Sequence, residues 1–165
     1  MNHNNSVLQI LFGFDCSKGK EKGVTFIEFL IAFAIIGILA AIVIPGYVGY
    51  MHQARVYSAI ETISAMSIEL SDYGIESGNY PDTLAEFGYS DVIDPWGNPY
   101  QYLNLAGAER GQMRKDKALV PINSDFDLYS MGKDGKSNPP LTAKASKDDI
   151  IRANDGQYIG LAESY

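Results

Sequence analysis

An uninterrupted apolar run lies near the N-terminus of the chain. Residues 29–54 contain no Asp, Glu, Lys or Arg, and residues 29–44 are apolar throughout. Because an α-helix rises about 1.5 Å per residue, roughly 20 apolar residues span the hydrocarbon core of a bilayer. A helix in the core of a small soluble domain rarely stays apolar on every face for this long. The run therefore predicts one membrane-spanning helix.

Beyond Pro45 the pattern changes to a helix with one apolar face. The positions on that face recur at helical spacing and are Val56, Ile60, Ile63 and Leu70. Most charged residues of this stretch fall on the other faces. Glycine and serine at residues 74–78 predict the end of the helix. The apolar face predicts packing against a small sheet.

Three later segments have the pattern of β-strands, at residues 100–104, 126–131 and 157–162. Asp82 is a candidate cap for a short helix that ends at Phe87. Three strands suffice for an antiparallel sheet. The predicted fold class is therefore α+β, with a long N-terminal α-helix whose first half is transmembrane and whose second half packs on a small three-stranded antiparallel β-sheet.

The charges that flank the apolar run predict its orientation. Lys18, Lys20 and Lys22 precede the run, and Arg55 is the first basic residue after it. The positive-inside rule therefore predicts a cytoplasmic N-terminus and an exported C-terminal domain. A secretory signal needs a small-residue cleavage site after its apolar region. The A-x-A sequence at residues 32–34 lies inside the run, which argues against ordinary signal cleavage.

Glu28 places a carboxylate at the start of the predicted membrane helix. A charge buried in lipid costs roughly 2.5–3.5 kcal/mol on insertion scales, so that Glu28 needs a partner. In one interpretation it reaches the interface near the lysines. In the other, the chain is cut after Gly23, and the new α-amino group of Val24 lies about one helical turn away. That amine can pair with Glu28 of a neighbouring copy and set the axial step of an assembly.

Residues 22–30, KGVTFIEFL, resemble the prepilin cleavage and methylation motif of type IV pilins and type II secretion pseudopilins. Gly37 and Pro45 stand where that family places a helix-weakening glycine and proline. Because proline removes a helical hydrogen bond, this stretch is predicted to melt locally or to kink. The resemblance implies that a prepilin peptidase cuts after Gly23 and methylates the amine of Val24, which replaces the usual phenylalanine of the family.

Composition argues against several other functions. A net charge of −7 disfavours a nucleic-acid partner. The histidines are His3 and His52, and neither a phosphate-binding loop nor zinc-ligand spacing occurs, so that no enzymatic activity is predicted. Cys16 is the single cysteine and precedes the apolar run, so that the exported domain has no disulfide and needs a core or a bound ion for rigidity. A basic cluster is interpreted as a solvated loop or a subunit contact, namely Arg110, Arg114, Lys115 and Lys117.

Carboxylates and an Asp-Gly turn within residues 127–149 suit a hard cation such as calcium. Their spacing differs from that of an EF-hand, and a polar loop without metal is the alternative. Residues 94–102 resemble the signature of the major pseudopilin of type II secretion. That resemblance implies a calcium site in the loop within residues 127–149. The family loop is usually shorter and richer in glycine than residues 136–147. The ligands that the match implies are the Met131 carbonyl, Asp134, and one or both of Asp148 and Asp149.

The resemblance implies a structural subunit of a type II secretion pseudopilus, which polymerises at the inner membrane to drive protein export. Its parts are a leader at residues 1–23, a transmembrane and assembly half of the helix at 24–50, and a periplasmic globular domain at 51–165. The implied partners are other copies in a periplasmic filament, the prepilin peptidase, minor pseudopilins and the inner-membrane assembly platform.

Two other functions stay open. A type IV pilin or minor pilin in adhesion, motility or DNA uptake shares the N-terminal motif. Such pilins commonly carry a C-terminal disulfide, whereas residues 24–165 contain no cysteine. A single-pass anchored binding domain shares the topology, but it leaves Glu28 without an explanation.

Processing separates the pilin-like interpretations from the simple anchor. If the chain is cut and methylated, the intact mass of the native protein equals that of residues 24–165 plus one methyl group. Mass spectrometry of the protein purified from membranes measures this directly. An unprocessed N-terminus would support the anchored binding domain.

Overall fold

The computed structural model describes residues 23–165. The predicted leader apart from Gly23 lies outside the described residues, as do His3 and Cys16. The chain forms one long helix and a four-stranded sheet, with the bounds α1 Phe26–Ser77, β1 Gln101–Asn104, β2 Phe126–Ser130, β3 Ile150–Ala153 and β4 Tyr158–Leu161. Short 3₁₀ helices lie at Leu84–Phe87, Lys144–Ser146 and Ala162–Ser164.

Helix α1 ends where the sequence predicts, at Ser77. Gly78 follows with a φ of 77°, and its N–H donates to the Gly74 carbonyl at 3.0 Å. Glycine takes this left-handed conformation without steric cost, which is why it terminates helices. By length and composition α1 can cross a membrane, and its most apolar 18-residue stretch is 0% buried within the chain.

The chain divides into two compact units, one that ends at Ile44 and one formed by Pro45–Tyr165. In the first unit, the apolar side chains of the helix are exposed, as in Phe29 and Leu39. A helix that is apolar on all faces and exposed along its length requires lipid or other protein around it. The second unit contains the sheet and its own core.

The sheet has the order β1-β2-β3-β4, and each pair of neighbouring strands is antiparallel. The α+β class is thus confirmed, but the prediction of three strands missed β3. This strand is only four residues long and contains Arg152, whose charge speaks against a buried strand. All four of its residues are nevertheless buried.

The Arg152 side chain is only 2% exposed because acceptors surround it. Its two terminal nitrogens bind the Asp125 carboxylate at 2.7 and 2.8 Å. Its Nε donates to Ser67 Oγ on α1 at 2.7 Å, and its Cζ lies 3.9 Å from the centre of the Phe126 ring. Arg152 therefore links β3 to the helix and to the start of β2.

The core of the second unit lies between α1 and the sheet. Its helical contribution matches the predicted apolar face, with Val56, Ala59, Ile63, Met66 and Leu70 buried. Its other members include Leu84, Tyr100, Phe126, Leu128 and Ile150. A second, smaller cluster packs residues of the loops, of β3 and of the last 3₁₀ helix, namely Ile122, Leu141, Ile151, Ala153 and Ala162.

With Asp82 as its N-cap, the short helix before the sheet would begin at Thr83, but it begins one residue later. Thr83 is its N-cap, because Leu84 is the first helical residue. Glu86 Oε1 accepts the N–H groups of Asp82 and Thr83 at 3.0 and 3.2 Å. This is the reciprocal half of a capping box, and the prediction of Asp82 as the cap was wrong.

Two isoleucines of α1 test the core directly. Ile63 is 0% and Ile68 is 65% exposed. We expect Ile63→Ala to lower the free energy of unfolding by about 2–5 kcal/mol, because it removes buried methyl groups and leaves a cavity. The matched control Ile68→Ala should cost under about 0.5 kcal/mol. Guanidinium unfolding of the full chain in detergent measures both, and equal losses would contradict the packing described here.

Candidate functional site

The predicted processing site directly precedes α1. Gly23 and Val24 are exposed and lie outside the helix. Thr25 precedes the first helical residue, and both its N–H and its hydroxyl donate to Glu28 Oε2 at 3.0 Å. The Glu28 N–H lies 3.4 Å from Thr25 Oγ1, so that the pair forms a capping box.

The Glu28 carboxylate is exposed and, within the described residues, receives hydrogen bonds from Thr25 alone. Among the described residues, no basic side chain forms an ion pair with it. This arrangement is compatible with a partner from another copy. The processing roles of Gly23 and Val24 and the assembly role of Glu28 stay predictions.

Pro45 lies inside α1, which continues through it to Ser77. Because proline has no N–H, the carbonyl of Ala41 loses its helical donor there. The division between the two compact units falls immediately before Pro45. Local melting of this stretch and the role of Pro45 in assembly stay predictions.

The turn before β1 is built on the carboxylate of Asp94, which is 3% exposed. Its Oδ1 accepts the N–H groups of Trp96 and Asn98 at 3.0 and 2.8 Å. Its Oδ2 accepts the Ser130 hydroxyl at 2.5 Å. The Asn98 side chain donates to the Gly132 carbonyl at 2.9 Å, so that this turn binds the first residues after β2.

The chain from Met131 to Asp149, called here the β2–β3 connection, contains all the residues predicted to bind calcium. Asp148 Oδ2 accepts the N–H groups of Lys133 and Asp134 at 2.9 and 3.0 Å. The Asp134 carboxylate accepts the N–H of Lys136 at 2.8 Å. Asp134 and Asp148 thus stabilise a tight turn through backbone donors.

That turn also needs glycine at its first position. Gly132 has a φ of 62°, and a Cβ atom there would lie 2.2 Å from the Asp148 carbonyl oxygen. The absence of a side chain at Gly132 allows this close approach, which places Asp148 against the turn whose N–H groups it binds.

Asp149 faces a different group, the guanidinium of Arg114. Asp149 Oδ2 lies 2.5 Å from Arg114 Nη2 and accepts the Ser137 hydroxyl at 2.6 Å. Both side chains are buried, with exposures of 3% for Arg114 and 0% for Asp149. Burial raises the pKa of Asp149 to about 6, although the hydrogen bond from Ser137 and the charge of Arg114 lower it.

As arranged, the predicted ligands do not fit a shared calcium ion. Calcium requires six to eight oxygen ligands at about 2.3–2.6 Å. Within residues 23–165, no three His, Cys, Asp or Glu side chains are grouped so that they could hold a metal. Asp134 and Asp148 each accept backbone N–H groups, and Asp149 is paired with a cation of the chain itself. Calcium binding stays a prediction.

The basic cluster that includes Arg114 was interpreted from the sequence as a solvated loop or a subunit contact, and for Arg114 this was wrong, because its side chain is buried within its own chain. Its residue exposure is 2%, whereas Arg110 in the same loop is exposed. The sequence signal for burial is weak, because Asp149 lies 35 residues further along the chain. Asp94, whose side chain organises the turn before β1, was likewise not recognised as a structural residue.

Comparison with known proteins gives matches over most of the chain. Residues 18–44 match the family described as the prokaryotic N-terminal methylation motif. The type II secretion system core protein G of Pseudomonas aeruginosa is 33% identical, over 71% of this chain and 87% of that protein. The protein of the same name from Aeromonas hydrophila is 29% identical, over 73% and 88%.

Pilus proteins are also similar to this chain. The fimbrial protein of Neisseria meningitidis serogroup A is 26% identical, over 82% of this chain and 81% of the relative. No solved structure matches significantly.

A methylation motif at the start of a membrane-length helix, followed by a helix-on-sheet domain, defines a pilin-like protein. The match to the P. aeruginosa protein, which extends over 87% of that protein, identifies the family more specifically. This chain belongs to the family of type II secretion system core protein G, the major pseudopilin.

Proposed function

We propose that the chain is a structural subunit of a type II secretion pseudopilus, which polymerises at the inner membrane to drive protein export. The observation that carries the proposal is the 33% identity to a type II secretion system core protein G over 87% of its length. The methylation motif at residues 18–44 supports processing by a prepilin peptidase after Gly23.

The proposed orientation places the N-terminus in the cytoplasm and the Pro45–Tyr165 unit in the periplasm. Three lysines precede the apolar run, and 20 acidic against 13 basic residues give the whole chain its negative charge. The lysines favour the cytoplasmic side through the positive-inside rule.

Assembly would join copies through the first unit of the chain. The apolar side chains of α1 in this unit are exposed within the part of the chain that the structure describes, and neighbouring helices would cover them. In that bundle the Val24 amine of one copy would neutralise Glu28 of the next. Minor pseudopilins and the inner-membrane assembly platform would act as further partners, and a separate ATPase would supply energy. The subunit itself would carry out no catalysis.

A type IV pilin or minor pilin is the second candidate, because relatives named fimbrial protein match over 82% of this chain. The absence of cysteine from residues 24–165 disfavours it, since a C-terminal disulfide cannot form.

Deletion of the gene separates the two candidates. A pseudopilin predicts the loss of several proteins from the culture medium while surface pili remain. The wild-type gene and Glu61→Gln should restore secretion in the deletion strain, whereas Glu28→Gln should leave secretion lower by roughly tenfold or more. That difference would support the assembly role of Glu28. Glu61 is an exposed carboxylate of the same helix and serves as the matched control. Intact secretion with lost pili or motility would overturn the proposal in favour of a pilin.

A further inference from the structure

We propose that the guanidinium of Arg114 is a built-in cation that holds the β2–β3 connection, and that it replaces the calcium ion implied by the family resemblance. The inference concerns the stability of the folded domain and does not depend on the proposed role in export.

The contacts of Arg114 are distributed over the connection. Nη1 donates to the Asn138 carbonyl at 2.6 Å and also to the Ser137 hydroxyl. Nη2 binds Asp149 at 2.5 Å, at the far end of the connection. One cationic group therefore joins a carbonyl, a hydroxyl and a carboxylate, and carbonyl and carboxylate oxygens are also the protein ligands of calcium.

The guanidinium is held in place from the other side as well. Its Cζ lies 4.3 Å from the centre of the Tyr129 ring on β2, within the range of a cation–π contact. The Arg114 N–H donates to Asp127 Oδ2 at 2.7 Å, and the Arg114 carbonyl accepts from Ile122 at 3.0 Å. These two bonds fix the backbone position from which the Arg114 side chain extends.

Backbone hydrogen bonds join the segment of Arg114 directly to the connection. The N–H of Lys115 donates to the Pro139 carbonyl, and the N–H of Leu141 donates to the Lys115 carbonyl, both at 2.9 Å. These bonds hold residues 139–141 against Lys115, the residue next to Arg114. The two prolines of this segment distinguish the loop from the family pattern. Backbone bonds as well as the guanidinium therefore hold the long connection beside Arg114.

A permanently charged group suits this role. Arginine stays protonated at all physiological pH values and directs several donors in a planar fork. The remaining oxygen of Asp149, Oδ1, is buried without a donor within the described residues. A calcium ion bound to Oδ1 is the alternative partner for this oxygen. The experiment below distinguishes a domain held by Arg114 alone from one that also binds calcium.

The first arm of the experiment measures the melting temperature of the full wild-type chain in detergent, in 5 mM EGTA and in 5 mM calcium chloride. With Arg114 as the cation, the two values agree within about 1 °C, since a ligand that does not bind the native state does not stabilise it. A rise of several degrees in calcium would overturn the proposal, whether or not any variant folds.

The second arm compares Arg114→Gln, Asp149→Asn and the double variant, with Arg110→Gln as the exposed control. Each single change of the buried pair leaves an unpaired buried charge and should lower the melting temperature by about 5–15 °C. The double variant should lose clearly less than the sum of the two single losses. Additive losses, or a loss in Arg114→Gln no larger than in Arg110→Gln, would contradict the pairing.

If Arg114→Gln does not fold, Arg114→Lys provides the comparison. A lysine keeps the charge but cannot form the forked contacts to Ser137, Asn138 and Asp149, so an intermediate melting temperature is expected. A lysine variant as stable as the wild type, with no response to calcium, would show that the forked contacts do not hold the connection and would overturn the proposal.

Discussion

The apolar face of α1 between Val56 and Leu70 is the constraint on which the folded domain depends. A helix with one apolar face is stable in water only when another element covers that face. The sheet provides the cover, and Phe126, Leu128 and Ile150 pack against the helix. Arg152 adds a specific link, since one guanidinium binds Ser67 of the helix and Asp125 beside β2. This need for cover explains why the sheet packs on α1.

Two buried arginines perform connecting tasks that disulfides or bound ions perform in other small domains. Arg152 joins the sheet to the helix, and Arg114 joins the β2–β3 connection to its neighbouring segment. A buried ion pair adds little net stability compared with apolar residues, but the loss of one partner is costly. The arrangement therefore specifies which segments meet. It suits a chain that contains no cysteine in residues 24–165.

The sequence predicted what depends on local pattern and missed what depends on distant partners. Helix α1, its end at Ser77 and strands β1, β2 and β4 follow from periodicity and from glycine positions. Strand β3 was missed because Arg152 looks unsuited to a buried strand until Asp125 is placed beside it. The pairing of Asp149 with Arg114 was missed for the same reason, since Arg114 is distant in the chain. Neither pairing leaves a periodic signal in the sequence.

The proposed role in export requires copies of the chain to assemble through their N-terminal helices. A cryo-electron microscopy reconstruction of filaments formed by the overexpressed, processed chain tests this most directly. We expect the apolar helices to be bundled at the centre, with the Glu28 carboxylate of each copy within about 4 Å of the Val24 amine of a neighbour. Filaments joined only through the Pro45–Tyr165 units, with Glu28 distant from any amine, would contradict the account.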